Sequence, residues 1–298
     1  MNRLNIDTCP LCGEKHFEHA LTCTDNYASG EQFEVLRCTH CGFIFTQGAP
    51  VEAEIGRYYE TPDYISHSDT HKGLMNQVYH QVRKFMLARK GKMIKRTSGL
   101  SKGSLLDIGT GTGYFSNEMK ERGWRVKAIE KNPKARVFAK EHFDLDIDAE
   151  NALAGYEDAS FDAITLWHVM EHLEHLNETW EKLSNLLKDR GVLIIAVPNP
   201  NSYDARKYKE WWAAYDVPRH LWHFTPSAMQ QFGVKHGFKL AEQHPMPFDA
   251  FYVSMLTEKY KGSNFTFLRG MWVGLLGWLS TLVKKERSSS MIYVFRKK

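Results

Sequence analysis

The chain has 298 residues, 43% of them hydrophobic and 25% charged, with a formal net charge of +4. That length holds one large α/β domain with a small appendage, and the ordinary composition argues against a fibrous, disordered or wholly membrane-embedded chain. So modest a surplus of positive charge gives no reason to expect a nucleic-acid partner.

The N-terminus is polar and reaches its first cysteine at residue 9. No secretory signal is visible there, so a cytoplasmic protein is expected. Four of the five cysteines fall into two pairs, Cys9-Pro-Leu-Cys12 and Cys38-Thr-His-Cys41, each followed by glycine. Four thiolates at this spacing close a tetrahedral shell around Zn²⁺ in a reducing compartment. Residues 1–47 then read as a zinc ribbon whose strand includes Phe33–Arg37. A module of that size buries little core, and a structural metal would supply the missing stability. The plain alternative is four reduced cysteines paired by chance. Cys23 is expected to be packed, with His16, His19 and His40 at the surface.

Residues 48–98 read as a linker and a leading helix. Gln47-Gly-Ala-Pro50 breaks the ribbon, and Tyr58, Tyr59 and Tyr64 stand among Pro62, Asp63 and Ser66, where they are expected to pack on the main domain. From about Lys72 to Lys95, Leu74, Val78, Val82, Phe85, Met86 and Met93 recur at helical spacing between basic residues, predicting an amphipathic helix.

Residues 99–298 form the main domain. Leu105-Leu-Asp-Ile-Gly-Thr-Gly-Thr-Gly113 is a strand, a tight glycine turn and a helix N-terminus, which lets backbone approach a nucleotide-like ligand closely. A dinucleotide fingerprint would need glycine at 114, where Tyr114 stands. The second strand, Trp124 to Glu130, ends in a carboxylate placed to accept the hydroxyls of a ribose. A helix from Pro133 to His142 follows, then a short third strand from Phe143 to Asp148 and a fourth from Phe161 to His168. A helix to about Lys188, stopped by Asp189-Arg-Gly191, leads to a fifth strand at Val192–Val197. Thr225 to Lys235 is a helix, a sixth strand starts near Gly237, and Met291–Phe295 closes the sheet as an antiparallel partner. The alternation predicts an α/β, doubly wound, mostly parallel sheet.

In order and spacing, Asp107-Ile-Gly-Thr-Gly-Thr-Gly113, Glu130, Trp167-His-Val-Met-Glu-His-Leu173 and Gly191–Asn199 resemble the class I S-adenosylmethionine (SAM) methyltransferases, above all the group with ubiquinone-type and sugar methyltransferases. The four-cysteine module is similar to the one that precedes the domain in sugar C-methyltransferases. The resemblance implies a Rossmann-like, seven-stranded methyltransferase sheet. It implies that Asp107, Gly109, Gly111 and Gly113 line the methionine and ribose of SAM, with Thr110, Tyr114 and Phe115 in the same site. Glu130 would then bind the ribose, Asp148 and Ala149 would border the adenine, and Trp167 and His168 would close the other side.

SAM carries its own electrophile, so such an enzyme must align a nucleophile, exclude water and sometimes remove a proton. The stretch richest in suitable groups is Trp211 to Pro226. His220 and His223 are candidate general bases, with His168 a third and Glu171 beside it, because imidazole exchanges protons near neutral pH. Tyr215, Asp216, Arg219 and Trp222 are candidate substrate groups. Equally, the tryptophans could be core and the histidines helix caps; His172 and His175 are expected on a helix surface. Between about 249 and 287 lies a helical insertion whose apolar run, 265–283, carries the stripe Leu268, Trp272, Leu275, Leu276, Leu279, Leu282 and Val283. A lid or homodimer helix, a peripheral membrane contact and a membrane span are the readings open to it. The expectation is a SAM-dependent methyltransferase for a small-molecule acceptor, a sugar or a cell-envelope or lipid-linked precursor. RNA or protein methylation with the ribbon as reader, and a non-catalytic SAM-binding regulator, are the alternatives.

Overall fold

In the computed structural model, which describes residues 2–59 and 74–298 with side chains left out for 74–80, the apolar runs 104–108, 161–167 and 192–197 predicted as central strands are buried almost end to end. Tyr64, Pro62, Asp63 and Ser66 lie outside the described residues, as do the side chains of Leu74 and Val78. Burial on both faces is what a parallel sheet covered by helices requires. The strands are β1 (Phe17–Thr24), β2 (Gln32–Cys38), β3 (Ile44–Gln47), β4 (Ser104–Ile108), β5 (Arg125–Ile129), β6 (Phe161–Trp167), β7 (Leu187–Pro198), β8 (Trp222–His223), β9 (Phe238–Pro245) and β10 (Ser290–Lys297). The helices are α1 (Leu74–Ser98), α2 (Tyr114–Glu121), α3 (Pro133–Phe143), α4 (Leu176–Leu186), α5 (Tyr203–Tyr208), α6 (Pro226–Lys235), α7 (Asp249–Tyr260) and α8 (Thr266–Val283).

The main sheet runs β5-β4-β6-β7-β10-β9. The first four strands are parallel, and β10 is antiparallel to both neighbours. The expected third strand shrinks to one parallel bridge, Ile129 to Asp148. Helix α3 runs on to Phe143 and Asp144 ends it in the left-handed conformation, φ 48°, so too few residues remain to pair. The seventh position of the sheet is that bridge. Strand β7 starts at Leu187 and runs through Asp189-Arg-Gly191, which was expected to stop the helix before it. Helix starts follow the sequence rules: Asn132 accepts from the Lys134 N–H with Pro133 in the first turn, and Thr225 accepts from Ala228 with Pro226 behind it. Among the described side chains of α1, Met93 and Ile94 are buried while Val82 and Phe85 are exposed.

The cysteine module shares both sheet and core with the main domain. Strands β1, β2 and β3 form an antiparallel meander that β8 extends, with Ile44 opposite His223 and Phe45 opposite Trp222. Phe43 and Phe45 lie in one apolar core with Leu106, Leu166 and Phe224, and Phe43 stacks on Trp222 at 5.9 Å. The Arg219 guanidinium adds a buried ion pair across the seam, 3.0 Å from Asp25 and 2.6 Å from Asp216.

The insertion folds as a helical hairpin of α7 and α8. The face of α8 turned to α7 carries Gly270, Gly274 and Gly277. A Cβ on Gly274 would stand 2.7 Å from the Phe251 Cα, and one on Gly270 2.6 Å from the Met255 Cα. The large apolar stripe therefore points away from the protein, which is not the arrangement of a lid that buries its stripe over the cleft. Gly274→Ala is expected to destabilise the fold by about 1–2 kcal/mol, because overpacking of roughly 1–3 kcal/mol outweighs a helix-propensity gain of at most about 1 kcal/mol. Chemical denaturation, read as a lower midpoint at unchanged slope, checks it.

Candidate functional site

Each glycine of the turn after β4 has its own reason. Gly109 has φ 66°, and a Cβ there would meet a Val169 methyl at 2.4 Å. Gly113, φ 82°, is the residue from which α2 starts. Gly111 has φ 58° but open space where a Cβ would project, so the backbone itself lines a cradle there. The Gly111 N–H donates to Glu130 Oε2 at 2.9 Å, and Asn132 N–H donates to Oε1 at 2.9 Å. Two backbone donors thus hold an almost buried carboxylate across the mouth of the turn, with lone pairs left for further donors.

Asp107 braces the turn from beneath. It is buried and accepts hydrogen bonds from Thr165 Oγ1 at 2.7 Å and Ser116 Oγ at 2.9 Å. Burial pushes its pKa up against those hydroxyls. The Thr110 hydroxyl is 2.8 Å from Ser116 Oγ. Phe115 meets Trp167 edge to face at 5.4 Å, and the Trp167 Nε1–H is buried with no hydrogen-bond partner among the described residues. Tyr114 packs on Phe143 at 4.9 Å under the Arg83 guanidinium. Asp148 accepts from the Tyr156 hydroxyl at 2.7 Å, and Ala149 leads a short 3₁₀ turn beside it. An open glycine cradle, an anchored strand-end carboxylate and an orphaned indole donor fit a ligand with a ribose and polar termini.

Lys90 and Asp249 escaped the sequence reading. Lys90, on α1, sets its Nζ 4.0 Å from the Trp167 ring centre and 5.6 Å from that of Phe115. Burial lowers its pKa to about 8 against the pull of Asp107 and Asp249. It falls among the basic residues of an amphipathic pattern, and only its register on the stripe of Met86 and Met93 could have marked it as facing inward.

Beyond Trp167 the chain builds a histidine cluster. His168 has a left-handed backbone, φ 58°, a strained conformation of the kind functional sites retain. Its Nδ1 is 3.4 Å from Glu171 Oε1 and its Nε2 3.5 Å from Asp249 Oδ2. Burial opposes its charge, but Asp249 and Glu171 outweigh it and hold the imidazolium up to about 9. Neither Glu171 oxygen has a hydrogen-bond partner among the described residues. Burial raises the Glu171 pKa, and His168 then draws it below the usual carboxylate range. His172 joins this cluster rather than a helix surface: its Nδ1 is 3.0 Å from the Arg219 carbonyl, and its ring centre is 4.6 Å from that of His220. Burial, then His220, takes it down to about 4. His220 Nδ1 lies 2.9 Å from the Ala214 carbonyl, so that nitrogen carries the hydrogen and Nε2 is left to act. One ligand atom each from Glu171, His172 and His220 lies within 4.8 Å of the others, close enough to converge on one small cation.

The remaining candidates divide. His223 is fully buried, its Nε2 3.0 Å from Thr46 Oγ1 and its ring against Tyr215; burial depresses its pKa to about 3. It is turned to the ribbon seam and away from Glu171. Trp222 donates its indole N–H to the Leu173 carbonyl and is core. Tyr215, Asp216 and Arg219 line a recess between Trp211 and Tyr27 of the cysteine module, and Arg219 already spends its donors on Asp25, Asp216 and the Tyr58 carbonyl. A second recess is lined by Tyr59, Lys131, His172, Glu174 and Leu221. It adjoins both halves of the site, since Lys131 follows Glu130 and His172 follows Glu171. Away from this site, Cys9, Cys12, Cys38 and Cys41 bring their four sulfurs within 4.8 Å of one another. Cys23 is packed and buried, as expected.

A family model described as methyltransferase domain matches residues 79–243, more than half of the chain. The chain belongs to that methyltransferase family. This methyltransferase is 25% identical over 160 residues to a ubiquinone biosynthesis O-methyltransferase of Idiomarina loihiensis, covering 51% of this chain and 63% of that protein. It is 30% identical over 115 residues to the protein of the same description from Glaesserella parasuis, covering 35% and 49%. The chain thus spans less than two thirds of either relative. Among solved structures it is similar to a candidate sarcosine dimethylglycine methyltransferase from Galdieria sulphuraria, with a TM-score of 0.51 at 17% identity over 73% of this chain and 86% of that one, a likeness of fold. The family match runs from α1 into β9 and includes neither the cysteine module nor the α7–α8 hairpin.

A histidine whose pKa is higher folded than unfolded adds stability that is complete below the unfolded value and lost as pH rises through the folded one. His168, at about 9 against an ordinary 6.5, therefore makes the methyltransferase lose stability between about pH 6.5 and 9. Asp249→Asn, which removes one carboxylate, is expected to flatten that slope in melting temperatures measured across the window.

Proposed function

We propose that this protein is a SAM-dependent methyltransferase acting on a small-molecule acceptor. The observation that carries the reading is the pairing of Gly111 N–H and Glu130 at 2.9 Å across a glycine cradle at the C-terminal edge of a parallel sheet, where such folds take their ligands. Asp107, Gly109, Thr110, Gly111, Gly113 and Phe115 would form the donor pocket, with Tyr114 at its outer edge and Glu130 for the ribose. Asp148 and Ala149 would border the base, and Trp167 and His168 the far side. SAM supplies a methyl group on a positively charged sulfur, so no acid is needed to activate it. What the chain must contribute is alignment, dryness and a proton acceptor. His220 is the proposed base: its Nδ1–H is fixed by the Ala214 carbonyl, which leaves Nε2 unprotonated in the neutral ring, and it clusters with buried Glu171 and His172. His168, already cationic beside Glu171 and Asp249, is proposed as an orienting group.

The acceptor is proposed to enter the recess of Tyr59, Lys131 and His172. Residues 1–47 hold three basic and six acidic residues, which favours a small molecule over RNA as the partner of this face. A sugar or a lipid-linked envelope precursor is the proposed class. The cysteine cluster is proposed to bind Zn²⁺: Cys9 and Cys41, like Cys12 and Cys38, hold their sulfurs 3.6 Å apart, near the edge of about 3.8 Å set by Zn–S bonds of about 2.3 Å. A four-thiolate shell has no open position, so the metal's role would be structural.

Calorimetry with S-adenosylhomocysteine should give a binding isotherm that Glu130→Ala weakens by roughly tenfold or more, the cost of about 1.4 kcal/mol or more in lost hydrogen bonds; equal affinity in the variant would refute the donor assignment. Methyl-tritiated SAM incubated with a cell-extract ultrafiltrate should label small molecules and leave added RNA and protein unlabelled. His220→Gln should slow that labelling by about 10²–10⁴ at unchanged homocysteine-ligand affinity. Elemental analysis should find zinc bound to the wild-type chain and lost from Cys38→Ser.

A further inference from the structure

Helix α8 is amphipathic in an inverted sense. Its glycine face is buried on α7, and the large apolar side chains of Leu268, Trp272, Leu275, Leu279, Leu282 and Val283 fall on the opposite side at 3.6-residue spacing. Trp272 is 61% exposed and Leu282 69%. The stripe follows a helix of 18 residues, about 27 Å long at 1.5 Å per residue. Scattered exposed apolar residues need no explanation, but a contiguous band of this kind marks a contact surface.

The charges around the band identify the occupant. From Lys259 to Arg287 the sequence has six basic residues, Lys259, Lys261, Arg269, Lys284, Lys285 and Arg287, against one carboxylate, Glu286, which lies 3.2 Å from Lys284 Nζ. Arg269, Lys284 and Lys285 are exposed. An apolar band with a predominantly basic rim is complementary to a bilayer surface carrying anionic headgroups. We propose that α8 docks this protein flat on an anionic lipid surface, its stripe at the level of the upper acyl chains and its basic rim among the headgroups.

Two other occupants fit less well. A spanning α8, packed on its glycine face, would have to carry α7 into the bilayer with it. That helix is itself tied to the core through Val253 and through the bond from Ala213 N–H to Thr257 Oγ1 at 3.0 Å. A second copy of the chain would meet the band through a self-complementary, two-fold contact, which sets one predominantly basic rim against another, with the one carboxylate of 259–287, Glu286, already paired with Lys284. The hairpin that would dock is also the element that brings Asp249 to His168, so the lipid surface would lie beside the donor site.

Sedimentation of the full-length protein with vesicles of equal parts phosphatidylglycerol and phosphatidylcholine tests the assignment. The protein should pellet with these vesicles and bind roughly tenfold less to phosphatidylcholine alone, with binding weakened by added salt. Leu268→Ser combined with Leu282→Ser should leave it in the supernatant at unchanged melting temperature and unchanged S-adenosylhomocysteine affinity. Lys284→Gln with Lys285→Gln should remove the preference for the anionic vesicles. The proposal is overturned if the wild-type chain stays in the supernatant with both vesicles. It is equally overturned if light scattering finds a dimer that the two leucine substitutions dissociate while vesicle binding is absent. Because sedimentation requires no methyl transfer, its outcome is independent of the donor and acceptor assignments.

Discussion

A buried carboxylate with imidazoles on several sides is the constraint on which the site depends. Glu171 is wholly inaccessible, and an isolated ionised carboxylate in such a place would neutralise itself. His168 is the group that keeps it charged. The backbone around it is pinned as well: Leu221 N–H donates to the Glu171 carbonyl at 2.8 Å, and Thr46 N–H donates to the Leu221 carbonyl at 2.9 Å. Thr46 Oγ1 donates in turn to the His220 carbonyl at 2.7 Å. A ladder therefore runs from β3 of the cysteine module, through the loop that carries His220, to Glu171. The module is thus built into the support of the histidine cluster rather than hung beside it. A change in its strand register would move the proposed base, because shifting a strand by one residue reverses the side to which every residue points.

This gives the proposed metal a physical connection to the site without any chemistry of its own. β1 to β3 form a small meander that shares its core with the larger domain through Phe43 and Phe45. Cys38 is the last residue of β2 and Cys41 lies just before β3. Clamping that turn fixes where β3 begins, and β3 fixes Leu221 and His220. Arg219 secures the same loop from the other side through Asp25 and Asp216. A buried ion pair of this kind is weak evidence for net stability, since its desolvation cost can match its attraction. Its geometry, with every guanidinium nitrogen engaged, suits positional specificity.

The glycine turn and the carboxylate that faces it are legible in the sequence because their determinants are local. Positive φ at Gly109, Gly111 and Gly113, a helix starting at Gly113 and a carboxylate at a strand end are properties of a few consecutive residues. The histidine cluster was only half legible. His168 and His220 could be nominated by residue type, but His172 was assigned to a helix surface because its burial comes from a loop 47 residues further on. Lys90 and Asp249 were missed for the same reason: each reaches the site from an element whose packing no local pattern fixes. Aromatic richness misled in the opposite direction. Trp222 and His223 read as pocket residues by composition, yet pairing with β3 makes them seam, and composition cannot distinguish one buried surface from another. The short third strand failed at its boundary, where α3 consumed the residue the strand needed.

The α7–α8 hairpin shows why apolar periodicity alone could not decide what a helix does. The stripe from Leu268 to Val283 is regular, and regularity ordinarily predicts the buried face. Here the glycines at 270, 274 and 277 let the two helix backbones approach until a Cβ would collide, and close approach favours small residues on the inner face. Dispersion contacts between near-touching backbones then replace the side-chain burial that the stripe would have provided. The large residues are left outward because the inner face has no room for them. The spacing of glycine, rather than of leucine, was the feature in the sequence that reported which side of α8 meets the protein.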